Sequence, residues 1–276
     1  MNAQEPNGTD PVQGWIPQGI DVTRPSIARV YDAALGGKDN FEVDRQAAAQ
    51  LFARVPDIRE GALENRRILS RGVKFLVEQG IDQFLDLGSG LPSAENTHQV
   101  AQRHNPDASV VYVDIDPIVL AHGRAILAEN SRTRVVTADA REPKAVLNLP
   151  EVRELIDFSR PVALMMVAIV HHMADDDDPA GIVRAYLDAL PSGSYLFLTH
   201  FHANGSPEAT AVEEELHGAH DSGRFRSREE IEAFFGGLEV VEPGIVTVPY
   251  WRPDGAVAEP LTPAQKLLLG GIARKA

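Results

Sequence analysis

The 276-residue sequence contains no cysteine and carries far fewer basic than acidic residues. Without cysteine the chain has no disulfide, no thiolate metal site and no cysteine nucleophile. Its 26 lysine and arginine residues against 40 aspartate and glutamate residues give a formal net charge of -14. Nonspecific nucleic-acid binding needs a basic surface that displaces counterions, so this charge argues against a nucleic-acid partner.

The sequence also lacks a long apolar run and a targeting signal. No stretch approaches the ~20 apolar residues that span a bilayer. Residues 1–21 have neither the basic nor the apolar region of a signal peptide. We therefore predict a cytoplasmic protein with no membrane partner. Residues 1–20, with their Asn, Gln, Gly and Pro, are interpreted as a flexible N-terminal segment.

Helical patterns occupy residues 21–80. Apolar residues recur at helical spacing up to Gly36-Gly37, a usual helix stop, and again over about 43–53 and 59–78. No strand pattern interrupts them. We predict an N-terminal helical cap over 21–80 that forms one structural unit with a domain over 81–276.

The second part of the chain alternates between short apolar runs and helical patterns. Strands are predicted at 83–87, 109–113, 134–137, 162–169 and 195–199. This alternation predicts an α/β fold, a parallel sheet with helices on both faces. The runs 238–241 and 245–248 are predicted to pair antiparallel with each other, and Thr262 with Gln265 to cap a short C-terminal helix.

The turn after the first strand reads Asp86-Leu-Gly88-Ser89-Gly90-Leu-Pro92. Glycines let a backbone approach a ligand closely, and ligands bind at strand ends of open α/β sheets. The third glycine of the dinucleotide fingerprint is absent, as is a phosphate-binding lysine. The acid before the glycines instead suits a ligand with an amino group and a positive centre. The alternative is a turn that serves packing alone.

Acids also end the next two strands. Asp114 lies about 20 residues beyond the glycines, where a ribose-binding acid is found, and Ile115 beside it is assigned to the same ligand. Asp139 can accept a hydrogen bond from an adenine amine while the N–H of Ala140 donates to the ring. The alternatives are a solvated acid at 114 and a turn aspartate at 139. Asp116 is interpreted as a helix N-cap.

These motifs resemble the three cofactor motifs of class I S-adenosylmethionine-dependent methyltransferases, over roughly residues 80–250. The order of elements fits that family's Rossmann-like, seven-stranded sheet with an antiparallel last strand. Segments 24–31, 35–41 and 64–67 are similar to an actinobacterial S-adenosyl methyltransferase family long catalogued as a domain of unknown function. The resemblance implies S-adenosylmethionine as cofactor and no established acceptor. Pro92, where a glycine is usual, departs from the pattern.

Candidate acceptor groups follow the fourth and fifth strands. The resemblance suggests that His171 or His172 acts as a general base or positions the acceptor; the alternative is a core or helix-entry histidine. His200 is predicted to border the acceptor pocket. Two adjacent histidines without a carboxylate at metal-ligand spacing do not favour a metal site, and none is predicted.

The cap supplies the remaining site residues. The segment 36–41 is predicted to fold over the cofactor, with Lys38 and Asn40 as polar contacts and Tyr31 and Phe41 as aromatic walls of the substrate site. Arg66 is predicted to pair with the methionine carboxylate of the cofactor. The alternatives are a surface loop after a helix stop and an exposed helix arginine.

The sequence therefore predicts an S-adenosylmethionine-dependent methyltransferase that acts on an O or N atom of a small-molecule acceptor; the acceptor's identity and the oligomeric state are left open. The alternative is a catalytically silent regulatory protein that binds S-adenosylmethionine or S-adenosylhomocysteine. A nicotinamide-dependent oxidoreductase is disfavoured, because the third glycine and a Tyr-x-x-x-Lys pair are missing.

Overall fold

The computed structural model describes residues 20–91, 95–126, 130–220 and 222–276. Three helices come first: α1 (Ile27–Leu35), α2 (Glu42–Arg54) and α3 (Ile58–Glu78). The elements that follow are β1 (Gln83–Leu87), α4 (Thr97–His104), β2 (Ser109–Asp114), α5 (Pro117–Ile126), β3 (Thr133–Thr137), α6 (Pro143–Leu147), α7 (Pro150–Leu155), β4 (Ala163–Val167), α8 (Pro179–Asp188), β5 (Tyr195–Phe201), α9 (Pro207–His220), α10 (Arg228–Ala233), β6 (Glu239–Val240), β7 (Val246–Thr247) and β8 (Leu268–Arg274). Among the described residues no helix is long and apolar enough to cross a membrane.

The eight strands in the described part of the chain form one sheet. Its order is β3-β2-β1-β4-β5-β8-β6, and β7 pairs with β8 outside this order. The strands from β3 to β5 run parallel, whereas β8 runs antiparallel to β5. The predicted mostly parallel, Rossmann-like sheet with an antiparallel last strand is confirmed. Seven strands are predicted for it, and the additional strand is β7, which has 2 residues and pairs with β8.

Helices cover both faces of this sheet. Successive side chains of a strand point to opposite sides, so the apolar strands place side chains on both faces, and each face packs against helices. Leu85 and Leu87 join a core cluster on the side of α6, α7, α8 and α10. Phe84 joins a second cluster, with residues of α3 and α4. Asp86, two residues from Phe84, lies on this second side, where it contacts Thr97 at the start of α4.

The three N-terminal helices divide between two packing partners. Helix α3 lies directly on the sheet, where a Cβ added to Gly72 would come within 2.4 Å of the Phe197 ring. Helices α1 and α2 pack with α9 in a separate cluster that includes Val30, Leu51 and Val212. The boundary between cap and domain at residue 80 stays a prediction.

The C-terminus differs from the sequence prediction. Segments 238–241 and 245–248 do not pair with each other; β6 and β7 both pair with β8. The predicted C-terminal helix is a single 3-10 turn, Ala264–Lys266, although Thr262 and Gln265 do exchange the expected capping hydrogen bonds. The apolar run after the turn forms β8 instead. A Cβ on its Gly270 would lie 2.7 Å from the Thr199 side chain, so glycine allows the strand to pack there.

Candidate functional site

The carboxyl ends of the parallel strands meet at one edge of the sheet and bring the predicted site residues together. Asp86 is in register with Tyr112 of β2 and Met165 of β4, and Asp114 with Thr137 of β3. The glycine turn follows β1, and the segment Ala168–His172, here called the histidine loop, follows β4. This is the edge at which open α/β sheets bind ligands.

The glycine turn is shaped for close approach of its backbone. Gly88 and Gly90 have φ of 67° and 66°, in the left-handed region that favours glycine. A Cβ on Gly88 would lie 2.2 Å from Cδ1 of Ile169, whereas one on Gly90 would meet no atom of the described residues within 4 Å. The hydroxyl of Ser89 is buried and has no hydrogen-bond partner among the described residues. As far as the described residues show, the turn therefore has space beside Gly90 and an unsatisfied hydroxyl on Ser89. Pro92 lies outside the described residues.

Asp86 is a buried carboxylate at the start of this turn. It is 4% exposed and accepts a hydrogen bond from the Thr97 hydroxyl at 2.7 Å. Burial raises its pKa to about 6, and the nearby positive charge of Arg66 partly opposes this shift. The Arg66 guanidinium donates to the carbonyl of Glu95 at 3.2 Å and to the side-chain oxygen of Asn96 at 3.3 Å. A cation and a carboxylate thus lie near each other at the end of β1.

Asp114 connects the glycine turn to the next loop. One carboxylate oxygen accepts the N–H of Gly90 at 2.8 Å and the other that of Asp116 at 2.9 Å. Burial raises the pKa of Asp114. Ile115 beside it is 60% exposed, the highest value among the exposed large apolar residues of the described chain. Asp116 accepts the N–H of Ile118 at 3.0 Å, as expected for an N-cap.

The third acid is held by a residue that sequence reasoning missed. Asp139 forms a two-pronged ion pair with Arg141, whose hydrogen bonds lower the pKa of the carboxyl. Ala140 is buried, and its carbonyl accepts the Tyr186 hydroxyl at 3.0 Å. An acid two residues before an arginine is the signal that could have identified the pair.

The histidine loop places its two imidazoles against each other, with ring centroids 4.3 Å apart. His171 is 1% exposed, packs 4.5 Å from the Phe201 ring, and its Nδ1 has no hydrogen-bond partner among the described residues. Burial lowers the pKa of His171 well below its usual value. His172 is only half-buried, with its Nδ1 3.2 Å from the hydroxyl of Ser222. Of the pair, His172 is therefore the more accessible to a ligand.

His200 is fully buried and both its ring nitrogens have partners. Its Nδ1 lies 2.7 Å from the carbonyl of Phe201 and its Nε2 lies 3.1 Å from the guanidinium of Arg226. Burial lowers the pKa of His200 to about 3, so its ring is neutral. No polar atom of this ring remains for an acceptor.

Arg226 is a second residue that the sequence did not reveal. This guanidinium, 3% exposed, donates to the carbonyls of Val170 and Met173 and to the carboxylate of Asp175. Arginine is suited to this role because its planar group carries five donors. Arg226 thereby fixes both ends of the turn that contains His171 and His172.

The predicted cap residues lie in two settings. Asn40 is buried and its amide donates to Asp32 at 2.8 Å, while Phe41 packs with a small cluster around Leu91 and Ile118 next to the glycine turn. Lys38 is exposed. The segment 36–41 therefore contacts the elements that follow β1 and β2.

Tyr31 belongs to a chain of hydrogen bonds that ends at the histidine loop. The Asn65 amide donates to the Tyr31 hydroxyl at 3.4 Å, and its oxygen accepts the Thr199 hydroxyl at 2.8 Å. Thr199 in turn accepts the N–H of Ala168 at 2.9 Å. Ala168 has φ of 57°, an uncommon value for a residue with a side chain. This chain joins α1 and α3 to the end of β4.

No group of three or more histidine or acidic side chains in the described segments is placed to hold a metal ion.

Asp86 near the cation Arg66, the glycine turn and the exposed Ile115 together fit a zwitterionic nucleoside ligand.

Comparison with known proteins identifies related chains. Residues 13–276 match the sequence profile of a family described as S-adenosyl methyltransferase. A solved structure from Thermobifida fusca, described as a candidate methyltransferase, is 52% identical, with a TM-score of 0.92, over 95% of this chain and 99% of that one. A DUF574 family protein from Streptomyces avermitilis is 42% identical, with a TM-score of 0.89, over 93% and 99%. No curated protein matches the chain.

Proposed function

Because the chain belongs to the S-adenosyl methyltransferase family, we propose that it transfers a methyl group from S-adenosylmethionine to an O or N atom of a small molecule. The observation that carries this proposal is the meeting of Asp86, the glycine turn, Asp114 and Asp139 at one sheet edge. When bound, the cofactor supplies a methyl group on a sulfonium, which is a reactive leaving group.

The methionine end of the cofactor fits the end of β1. Asp86 has one hydrogen-bond donor in the described chain and keeps lone pairs for an ammonium group. Arg66 supplies the positive charge that a carboxylate requires, and the buried hydroxyl of Ser89 gains a partner from a polar ligand. Gly90 leaves room for the aliphatic part of the methionine between these groups, whereas the missing side chain of Gly88 makes room for Ile169.

The adenosine end fits the ends of β2 and β3. Each carboxylate oxygen of Asp114 already accepts one backbone N–H and has a further lone pair for a ribose hydroxyl. Ile115 offers an exposed apolar surface to a flat base. Asp139 and the N–H of Ala140 are the groups proposed to recognise the adenine edge.

The acceptor is assigned to the space beside the histidine loop. His172 is proposed as the base that removes a proton from the acceptor, because its ring is the more accessible of the pair. His171, neutral and buried, supports the ring of His172. Tyr31 is linked to this loop through Asn65 and Thr199. Phe41, which packs beside the glycine turn, and the exposed Lys38 are proposed as further substrate contacts from the cap. His200 and Asn40 act as internal supports, because their polar atoms are occupied.

A silent cofactor-binding protein is the competing function, because His171 is 1% exposed. The methyltransferase and the silent binding protein are distinguished by measuring how much S-adenosylhomocysteine is released when the protein is incubated with S-adenosylmethionine and panels of small hydroxyl and amine acceptors. Acceptor-dependent release that falls at least about tenfold in His172→Ala, with unchanged S-adenosylhomocysteine affinity, supports catalysis. Cofactor binding with no release for any acceptor, or release that His172→Ala leaves unchanged, contradicts the proposed mechanism.

A further inference from the structure

Arg141 donates several hydrogen bonds to the carboxylate of Asp139, which lies two residues before it in the same turn. Its backbone N–H donates to Oδ1 at 2.9 Å, its Nε lies 3.0 and 3.1 Å from Oδ1 and Oδ2, and its Nη2 donates to Oδ2 at 2.7 Å. A carboxylate offers about four lone-pair sites. Arg141 therefore uses most of the acceptor capacity that an adenine amine requires from Asp139.

A second acid lies beside the same guanidinium. Nη1 of Arg141 is 3.6 Å from a carboxylate oxygen of Asp177, which belongs to the 3-10 turn Asp175–Asp177 after the histidine loop. Asp177 is fixed in place because its other oxygen accepts the N–H of Ala174 at 2.9 Å. The side chains of Arg141 and Asp177 are 46% and 29% exposed. The guanidinium can thus change partner without burying an unpaired charge, which would be costly.

We propose that Arg141 is a specificity-determining residue that shifts from Asp139 to Asp177 when adenine binds. The shift releases Asp139 to accept a hydrogen bond from the exocyclic amine, while the guanidinium keeps an acidic partner. A purine without that amine gives Asp139 nothing in place of the guanidinium, so Arg141 stays on Asp139. This inference rests on the proposed function, which assigns adenine to the end of β3.

The test is calorimetric titration of the protein with two ligands: S-adenosylhomocysteine and its analogue with an unsubstituted purine. The variants are Asp177→Asn, Arg141→Gln and the double variant. Asparagine at 177 keeps an oxygen for the N–H of Ala174 but loses the charge. Asp176→Asn, in the same turn, is the matched control for net charge.

We expect Asp177→Asn to weaken S-adenosylhomocysteine binding about threefold to fivefold. A change of this size corresponds to the interaction free energy of a partly exposed ion pair. Binding of the unsubstituted purine analogue and binding by Asp176→Asn change less than about twofold. In the Arg141→Gln background, Asp177→Asn has no further effect, because the partner of Asp177 is gone.

Three results overturn the proposal: equal weakening of both ligands, no change in either, or an undiminished effect of Asp177→Asn when Arg141 is glutamine. Failure of the proposed function looks different. In that case the unmodified protein does not bind S-adenosylhomocysteine, or Asp139→Asn leaves its affinity unchanged.

Discussion

Thr199, near the end of β5, donates its hydroxyl to the side-chain oxygen of Asn65 on α3 at 2.8 Å, and both residues are buried. The same hydroxyl accepts the N–H of Ala168, the first residue of the histidine loop. One hydroxyl therefore ties an N-terminal helix to the loop that carries the candidate base, although Thr199 and Asn65 are 134 residues apart.

Thr199→Val tests this connection. Valine keeps the shape of threonine but leaves the buried oxygen of Asn65 without its donor, so we expect the free energy of unfolding to fall by about 1–3 kcal/mol. Urea denaturation measures the change. Thr199→Ser keeps the hydroxyl and should lose about 1 kcal/mol or less, for one buried methyl group. Equal losses for the two variants would show that the hydroxyl contributes nothing.

Gly88→Ala and Gly90→Ala form a matched pair, because the two glycines have nearly the same positive φ. Both variants carry the same backbone strain. Only the new Cβ at 88 meets Ile169, at 2.2 Å. We expect Gly88→Ala to lower the free energy of unfolding by about 1–3 kcal/mol more than Gly90→Ala, since overpacking has this cost. Denaturant unfolding of both variants checks the difference, which disappears if Ile169 moves away freely.

Asp86 should make cofactor binding depend on pH. Its pKa is raised to about 6, and an ammonium group binds the ionised carboxylate, so protonation at lower pH competes with the ligand. We expect S-adenosylhomocysteine to bind about tenfold more weakly at pH 5 than at pH 7, because each unit below the pKa costs one factor of ten. Calorimetry across this range measures the slope. Asp86→Asn should bind weakly with little slope; an unchanged slope in this variant would assign the titration to another group.

Arg226→Gln should destabilise the protein more than Arg224→Gln. The Arg226 side chain is buried and donates to the carbonyls of Val170 and Met173, whereas the Arg224 side chain is 43% exposed. Losing buried charged donors leaves their acceptors unsatisfied, and we expect a loss of at least about 2 kcal/mol at 226. The exposed pairs of Arg224 are worth about 1 kcal/mol or less. Chemical denaturation measures the free energy of unfolding of both variants. Comparable decreases in the two would contradict the role given to Arg226.

Local patterns predicted much of this fold because they reflect local physics. The alternation of apolar runs with helical patterns predicted the parallel strands. The glycines and acids at the strand ends predicted that Asp86, Asp114 and Asp139 lie at one edge of the sheet. The capping pair Thr262 and Gln265 misled the prediction of the C-terminus. Its hydrogen bonds form, but the following apolar residues gain more by burial between β5 and β6 than by extending a helix.

The contacts that organise the acceptor side could not be predicted, because their partners are distant in sequence. Arg226 is 56 residues from Val170 in the histidine loop and 53 residues from Met173 just beyond it, and Asn65 is 134 residues from Thr199. His200 shows the same limit. Its position after the predicted strand 195–199 indicated a pocket, whereas His200 lies within β5, where burial and the contact with Arg226 make it an internal support.

The central claim is that the cofactor binds at the carboxyl ends of the parallel strands. Titration of S-adenosylhomocysteine into the protein and into Asp114→Ala tests this claim most directly. Asp107→Ala is the control, because it removes the same charge beyond the opposite end of β2. We predict one binding site in the unmodified protein and in the control, and an affinity at least about tenfold weaker in Asp114→Ala, for the loss of a charged hydrogen-bond acceptor. Equal affinity in all three proteins would contradict the account.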